Sequence, residues 1–452
     1  DNDEVIISYC DFSSYWKYEE FLDFTRSRNS DGCIPAYKGF HPHMLWPTNY
    51  AFMRDDNQRM LEIREKTPFT TDRMAEYASN GVYYFKKGSY VKKYFQQNLE
   101  KGINYNGEAY ISLVYNLLND DGLNISIYEI QHMLQWGTPT DLEEYKQWSN
   151  VFKRMITERD TIKTNENTIN LIPLAGKGLR FQNENYKDPK PLIEVSGKPM
   201  VLQAADFLPK SKVAHFIALE EHLQKYPLAD EIIKEYPFAK IFSVKNVTEG
   251  QACTCALGLS DEDMETPVMI GACDNGMHWD ANKYSELLDN PNVDVIVWTF
   301  RNNTSSQRNP NMYGWVSVDK NNNALSVSVK IAISDEPKND HAIIGAFYFR
   351  KTKIFIDELD SLIKKNERIN NEFYVDSCIN ELIKNHYVVK VFEVDDYIPW
   401  GTPNDLRTYE YWQSFFHKCK WHPYSFYKDP RIPPEKRFYL EKKSNLKKFN
   451  LL

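Results

Sequence analysis

The sequence has no apolar run near the ~20 residues needed to span a bilayer, and its mean hydropathy of −0.59 excludes a helical membrane protein. It also lacks an excess of positive charge. Its 55 basic against 63 acidic residues give a formal charge of −8, so no nucleic-acid partner is expected and any phosphate site must be local. Paired cysteines are missing too: the seven thiols (Cys10, Cys33, Cys253, Cys255, Cys273, Cys378, Cys419) show no Cys-x-x-Cys spacing, which supports neither a disulfide framework nor a structural zinc site. The acidic start lacks the basic and apolar regions of a signal peptide, giving a cytoplasmic expectation. It opens at Asp1 and runs at once into strand-like Val5-Ile6-Ile7-Ser8-Tyr9, which reads as a chain whose beginning is missing. What is present is 452 residues, 42% hydrophobic and 26% charged, ordinary globular material for about two to three domains.

A long internal repeat organises the chain. Trp136-Gly137-Thr138-Pro139-Thr140-Asp141-Leu142 recurs as Trp400-Gly401-Thr402-Pro403-Asn404-Asp405-Leu406, an offset of 264. At the same offset Gly107-Glu108-Ala109-Tyr110-Ile111 meets Asn371-Glu372-Phe373-Tyr374-Val375, and Gly81-Val82-Tyr83-Tyr84-Phe85 meets Gly345-Ala346-Phe347-Tyr348-Phe349. His41-Pro42-His43-Met44 pairs with Asn309-Pro310-Asn311-Met312, and Cys10-Asp11 with Cys273-Asp274, after loop-sized changes of offset. A period this long means two whole domains and not a solenoid. The second copy has about a hundred residues ahead of Asp274 where the first has ten ahead of Asp11, so the first copy is either a fragment or a domain without its front half. Domain bounds follow: 1–156 a partial copy, 157–168 a polar linker, 169–416 the complete copy, and 417–452 a C-terminal extension that packs or is solvated.

In the complete copy, strand-like runs at 169–174, 213–218 and 268–272 alternate with segments of helical period. This predicts an α/β domain with a mainly parallel sheet, whose ligands bind at the carboxyl ends of strands. The first run leads into Ala175-Gly176-Lys177-Gly178-Leu179-Arg180, then Asp188-Pro189-Lys190-Pro191 and Gly197-Lys198-Pro199-Met200. Gly-x-Gly after a strand lets backbone N–H groups approach phosphate oxygens. No Gly-Lys-Ser/Thr closes it, and Phe181 stands where a dinucleotide fingerprint has its third glycine, so neither of those motifs applies. Arg180 and Lys190 add two cations suited to a triphosphate.

These motifs resemble the signature of the nucleotidyltransferases that join an NTP to a sugar phosphate or similar acceptor, over nearly the whole of residues 166–415. The resemblance implies a GT-A/Rossmann-like fold in two tandem copies, with Mg²⁺-dependent attack of an acceptor phosphate on the α-phosphorus of an NTP and release of pyrophosphate, for capsule or other surface-glycan synthesis. By position it implies Leu174, Ala175, Gly176, Gly178, Gly250 and Gln251 for the nucleotide and Arg180 and Lys190 for catalysis. It implies Lys330 and Glu372 for a phosphorylated sugar or polyol, and Asp274 for the metal. Two positions depart from the pattern. Val329 replaces a glutamate that the first copy keeps as Glu65, and Pro399 replaces a second metal aspartate. Asp395 or Asp396, just upstream, would substitute, with Asp396 the expected ligand. Asp11, Lys66 and Glu108 retain late motifs in the first copy, without a Gly-x-Gly loop. Association into a homo-oligomer is compatible with this family. The alternatives are a GT-A-type glycosyltransferase using a nucleotide sugar and a catalytically silent, nucleotide-binding tandem scaffold; Arg180 and Lys190 favour nucleotidyl transfer, because a glycosyl donor needs no pyrophosphate grip.

Overall fold

A computed structural model describes residues 1–47, 49–157 and 167–446; most of the expected linker lies outside them. The chain divides into two compact units, a first comprising Asp1–Lys146, Tyr411–Cys419 and Glu441–Leu452, and a second comprising Gln147–Glu410 and Lys420–Leu440. Among the described residues no helix is long and apolar enough to cross a membrane.

The second unit is built on a nine-stranded sheet. Its main path runs Lys240–Val244, Val213–Leu219, Ile169–Leu174, Val268–Ile270, His341–Phe349, Val295–Phe300 and Val389–Glu393, with the hairpin Gly314–Val318 and Ala324–Val329 added on His341–Phe349. Every residue of Val295-Ile296-Val297-Trp298-Thr299-Phe300 is buried, as expected of a β-branched and aromatic strand covered on both faces. The helix Val375–Lys384 buries Val375, Cys378, Ile379 and Leu382, the i, i+3, i+4, i+7 stripe of an amphipathic helix, and these residues join the main core.

The sheet is mixed and not mainly parallel. Four of its pairings are parallel and four antiparallel. A parallel partner returns by a crossover of about a dozen residues or more, usually a helix. The chain between Phe300 and His341 instead holds the hairpin and short helical turns, and His341–Phe349 returns antiparallel to Val295–Phe300. The first unit departs further. In its seven-stranded sheet, ordered Val5–Ser8, Val82–Phe85, Gly32–Tyr37, Tyr77–Ser79, Phe52–Asp56, Arg59–Arg64, Ile125–Glu129, the one parallel pairing among the described residues is Gly32–Tyr37 with Ile125–Glu129.

Local geometry matches between the units at the repeated motifs. Asp11 precedes the strand Phe12–Tyr15, which pairs antiparallel with His132–Gln135; Asp274 precedes Asn275–His278, which pairs antiparallel with Asp396–Pro399. The Trp136 N–H donates to the Asp11 carbonyl at 3.0 Å and the Trp400 N–H to the Asp274 carbonyl at 2.9 Å. Each unit also pins one strand to a helix through an asparagine. Asn380 accepts from the Val327 N–H at 2.7 Å and donates to its carbonyl at 2.8 Å; Asn116 does the same to Ile63 at 3.0 and 2.9 Å. Such an amide satisfies both peptide groups as a further strand would.

Among the described residues Ala324–Val329 pairs with one strand, Gly314–Val318, and the Val327 N–H and carbonyl are met by Asn380. Asn380→Ala is expected to cost about 1–3 kcal/mol of local stability and to speed amide exchange at Val327 by about tenfold or more; an unchanged rate contradicts the pinning role.

Candidate functional site

The parallel strands Ile169–Leu174 and Val268–Ile270 lie side by side, Leu171 opposite Ile270. The loops that follow them, 175–178 and 271–274, therefore leave the sheet at the same edge. Leu174 and Ala175 are buried, and Gly176 is exposed with open space where a Cβ would stand. Gly178 has φ 66°, and a Cβ there would lie 2.8 Å from Lys190 Cβ. Glycine is thus required twice over, for the left-handed turn and for the close approach of Lys190. Beyond it the short helix Leu179–Gln182 carries Arg180.

Lys190 Nζ donates to Asp274 Oδ2, and both side chains are mostly buried, 19% and 27% exposed. Burial pulls the Lys190 ammonium down, but the Asp274 carboxylate pushes it up, and the balance lies above the usual lysine range although Arg180 opposes it. Burial and the same carboxylate raise the Cys273 thiol to about 11, so this cysteine is an inert neighbour at neutral pH. Gly401 completes the pocket for Asp274: a Cβ there would stand 3.0 Å from Asp274 Oδ2. Gly137 stands likewise 2.8 Å from Asp11 Oδ2. The glycine of the repeated Trp-Gly-Thr-Pro motif therefore makes room for an aspartate, a role its sequence alone does not reveal.

Gly250 and Gln251 open the helix Gln251–Leu257. Gly250 has φ 134°, and a Cβ would collide with the Phe373 backbone at 2.4 Å from its oxygen. The Phe373 N–H donates to the Glu249 carbonyl at 2.8 Å and the Ala252 N–H to the Phe373 carbonyl at 3.1 Å. This ties the expected base-reading segment to Glu372. Glu372 ends a tight turn through Asn370 and Asn371, both at positive φ, and bridges back to Ile369.

Lys330 stands just past the strand Ala324–Val329 with φ 63°. Its N–H donates to the Tyr313 carbonyl at 3.0 Å, its Nζ to the Met312 carbonyl, and its ammonium lies 5.8 Å from the Tyr374 ring centre. Burial lowers its pKa; the carboxylates of Asp376, Asp274 and Glu372 oppose that, and Arg180 adds to it. Lys330 thus feels the charges of Asp376, Arg180, Asp274 and Glu372, and Lys190 those of Asp274 and Arg180.

Asp396 is not part of it. In the ladder that begins Asn275↔Pro399, Asp396 faces His278 at the far end. Its carboxylate takes a 3.0 Å contact from His278 Nδ1 and a 3.1 Å ion pair from Arg154, with Arg154 3.6 Å from Asp395 as well. Both aspartates are held by a cation away from Asp274. Among the described residues no three His, Cys, Asp or Glu side chains form a metal-binding group. Asp376, buried close to Lys330, is the residue that sequence reasoning misses. The offset of 264 could have found it, since it places Asp376 on Ser112.

No protein-family model matches the chain. Over 233 residues, 51% of this chain, it is 27% identical to the Bifunctional protein GlmU of Campylobacter fetus subsp. fetus (strain 82-40), and it spans half, 50%, of the length of that protein. Among solved structures, the nucleoside-diphosphate-sugar pyrophosphorylase from Vibrio cholerae RC9 aligns with 53% of this chain and 98% of its own, with 17% identity and a TM-score of 0.43. The inositol-1-phosphate CTP transferase from T. maritima aligns with 55% of this chain and 96% of its own, with 15% identity and a TM-score of 0.44.

Proposed function

We propose that the second unit is a nucleotidyltransferase that joins an NTP to a phosphorylated sugar or polyol. The observation that carries this reading is the Lys190 to Asp274 ion pair set against the Gly176 to Arg180 loop, where two adjacent parallel strands end. In the proposed reaction an acceptor phosphate oxygen attacks the α-phosphorus of the NTP. The bond from that phosphorus to the bridging oxygen breaks, and pyrophosphate leaves with the electron pair. Such transfer is mostly positioning and charge stabilisation. Backbone N–H groups of the loop and Arg180 grip the departing phosphates, and the Lys190 ammonium meets the charge that grows on the α-phosphate. Gln251 offers a donor and an acceptor to the base edge, while Lys330 and Glu372 hold the acceptor phosphate and hydroxyls.

Asp274 is the residue to hold Mg²⁺. A single carboxylate at a strand end suits an ion that takes one or two carboxylates and fills its shell with substrate phosphates and water. When bound it neutralises phosphate charge. The carboxylates of Asp395 and Asp396 are engaged by Arg154 and are left out of this assignment. We read the two units as copies of one fold, supported by the matching ladders after Asp11 and Asp274, and the product as an activated precursor for surface-glycan synthesis.

Lys190→Ala is expected to lower kcat by about a hundredfold or more with a smaller change in NTP affinity, and Lys190→Arg to recover part of the loss, because a planar fork replaces a compact ammonium imperfectly. Pyrophosphate release at saturating NTP measures both; near-normal turnover in Lys190→Ala contradicts the assignment. Asp274→Asn is expected to abolish Mg²⁺-dependent turnover while the fold, read by circular dichroism, is kept. Retained turnover moves the metal elsewhere.

A further inference from the structure

Where the resemblance expects a glutamate ahead of Lys330, the chain has Val329. In the first unit the matching residue is Glu65, which accepts a hydrogen bond from Ser112 Oγ at 2.5 Å and sits beside Lys66. Ser112 is the second residue of the helix Ile111–Asp120, and the second residue of the helix Val375–Lys384 is Asp376. The two places that face each other as Glu65 and Ser112 are therefore filled by Val329 and Asp376.

A third position changes with them. Phe52 pairs with Arg64 on one side and Ala78 on the other, as Trp315 pairs with Ser328 and Ala342, so Ala51 and Gly314 hold the same place one residue earlier. A Cβ at Gly314 would lie 2.1 Å from Asp376 Oδ2, a distance at which something must shift. The carboxylate lies against Gly314, at the position where the first unit has Ala51. Val329, 6% exposed, has joined the apolar core. The set Ala51, Glu65, Ser112 has become Gly314, Val329, Asp376, and one carboxylate is kept by moving it from the strand end to the helix start.

The lysines beside these sets share an uncommon backbone. Lys66 has φ 50° and Lys330 φ 63°, and their N–H groups donate to Tyr50 and Tyr313. Lys330 is the more deeply held, and Asp376 heads the charges that act on it, ahead of Arg180, Asp274 and Glu372. Burial pushes Asp376 up to about 6 against the pull of Lys330.

We propose that Asp376 is the positioning residue of the acceptor site, the buried counter-charge that keeps Lys330 an ammonium, in the place where the first unit has the pair Glu65 and Ser112. What Lys330 binds rests on the nucleotidyltransferase reading; that Asp376 sets the state of Lys330 does not. The test accordingly has two readouts, labelling of Lys330 by an amine-selective reagent at neutral pH, followed by peptide mass spectrometry, and the KM for a phosphorylated acceptor.

Asp376→Asn is expected to label at Lys330 about tenfold faster than the parent protein, the effect of about one pKa unit. Acceptor KM should rise by a similar factor and kcat should change less. The paired exchange Val329→Glu with Asp376→Ser is expected to bring labelling back to within about threefold of the parent. It should also make Gly314→Ala tolerable, whereas that change alone lowers Tm, because coupled sites are not additive. Parent-like labelling in Asp376→Asn, or labelling as fast in the paired exchange as in Asp376→Asn, overturns the proposal. Should Asp376→Asn fail to fold, the paired exchange decides: slow labelling supports the proposal, and fast labelling or an unfolded chain overturns it. A labelling shift in a protein that turns over no acceptor supports the role of Asp376 and removes the nucleotidyltransferase reading.

Discussion

The contact between Lys190 and Asp274 is the constraint on which the rest of the second unit depends, because it brings together residues 84 apart in sequence. The pair forms because the loops carrying its members follow neighbouring parallel strands, so both reach the same edge of the sheet. Two glycines allow it: Gly178 admits the Lys190 side chain and Gly401 admits the Asp274 carboxylate. A mostly buried ion pair is weak evidence for stability, since desolvation offsets much of the attraction. In the proposed reaction the pair is charge held ready for phosphate; Arg180 acts on both Lys190 and Lys330, and Asp274 on both as well.

Much of this was readable in the chain. The strand ending at Leu174, the turn at Gly176 to Gly178, and the aspartate after an apolar strand each follow from local residue chemistry: apolar alternation, the freedom of glycine, a carboxylate at a strand end. The partners of those residues were not readable, because they are set by register. Asp396 shows this well. Sequence proximity puts it near Pro399, but a strand advances ~3.3 Å per residue, which carries it ~10 Å along the ladder to His278, where Arg154 takes its charge. Strand direction was hidden for a similar reason, since a fully buried strand such as Val295–Phe300 has the same composition whichever way its neighbours run.

Two lysines with the same local backbone, one in each unit, sit in different electrostatic surroundings. Lys66 and Lys330 share a left-handed conformation at the end of matching strands, yet their shifts are opposite. The hydrogen bond to Tyr110 raises Lys66, whereas burial lowers Lys330. A lysine under that pressure depends on its carboxylates in a way that an exposed one does not, and Asp376 is the first of the carboxylates that act on Lys330. The Gly-x-Gly loop that precedes Lys190 lies in the second unit, and the proposed chemistry is assigned there.

The central claim is nucleotidyl transfer, and the label of an α-phosphate follows it most directly. The protein would be incubated with each NTP, labelled at the α-phosphate, against a panel of sugar and polyol phosphates with Mg²⁺. The account predicts that for one pair the label moves into a nucleotide-linked product while pyrophosphate appears in equal amount. Loss of nucleoside diphosphate from a nucleotide sugar, with no pyrophosphate released from any NTP and acceptor, would contradict it.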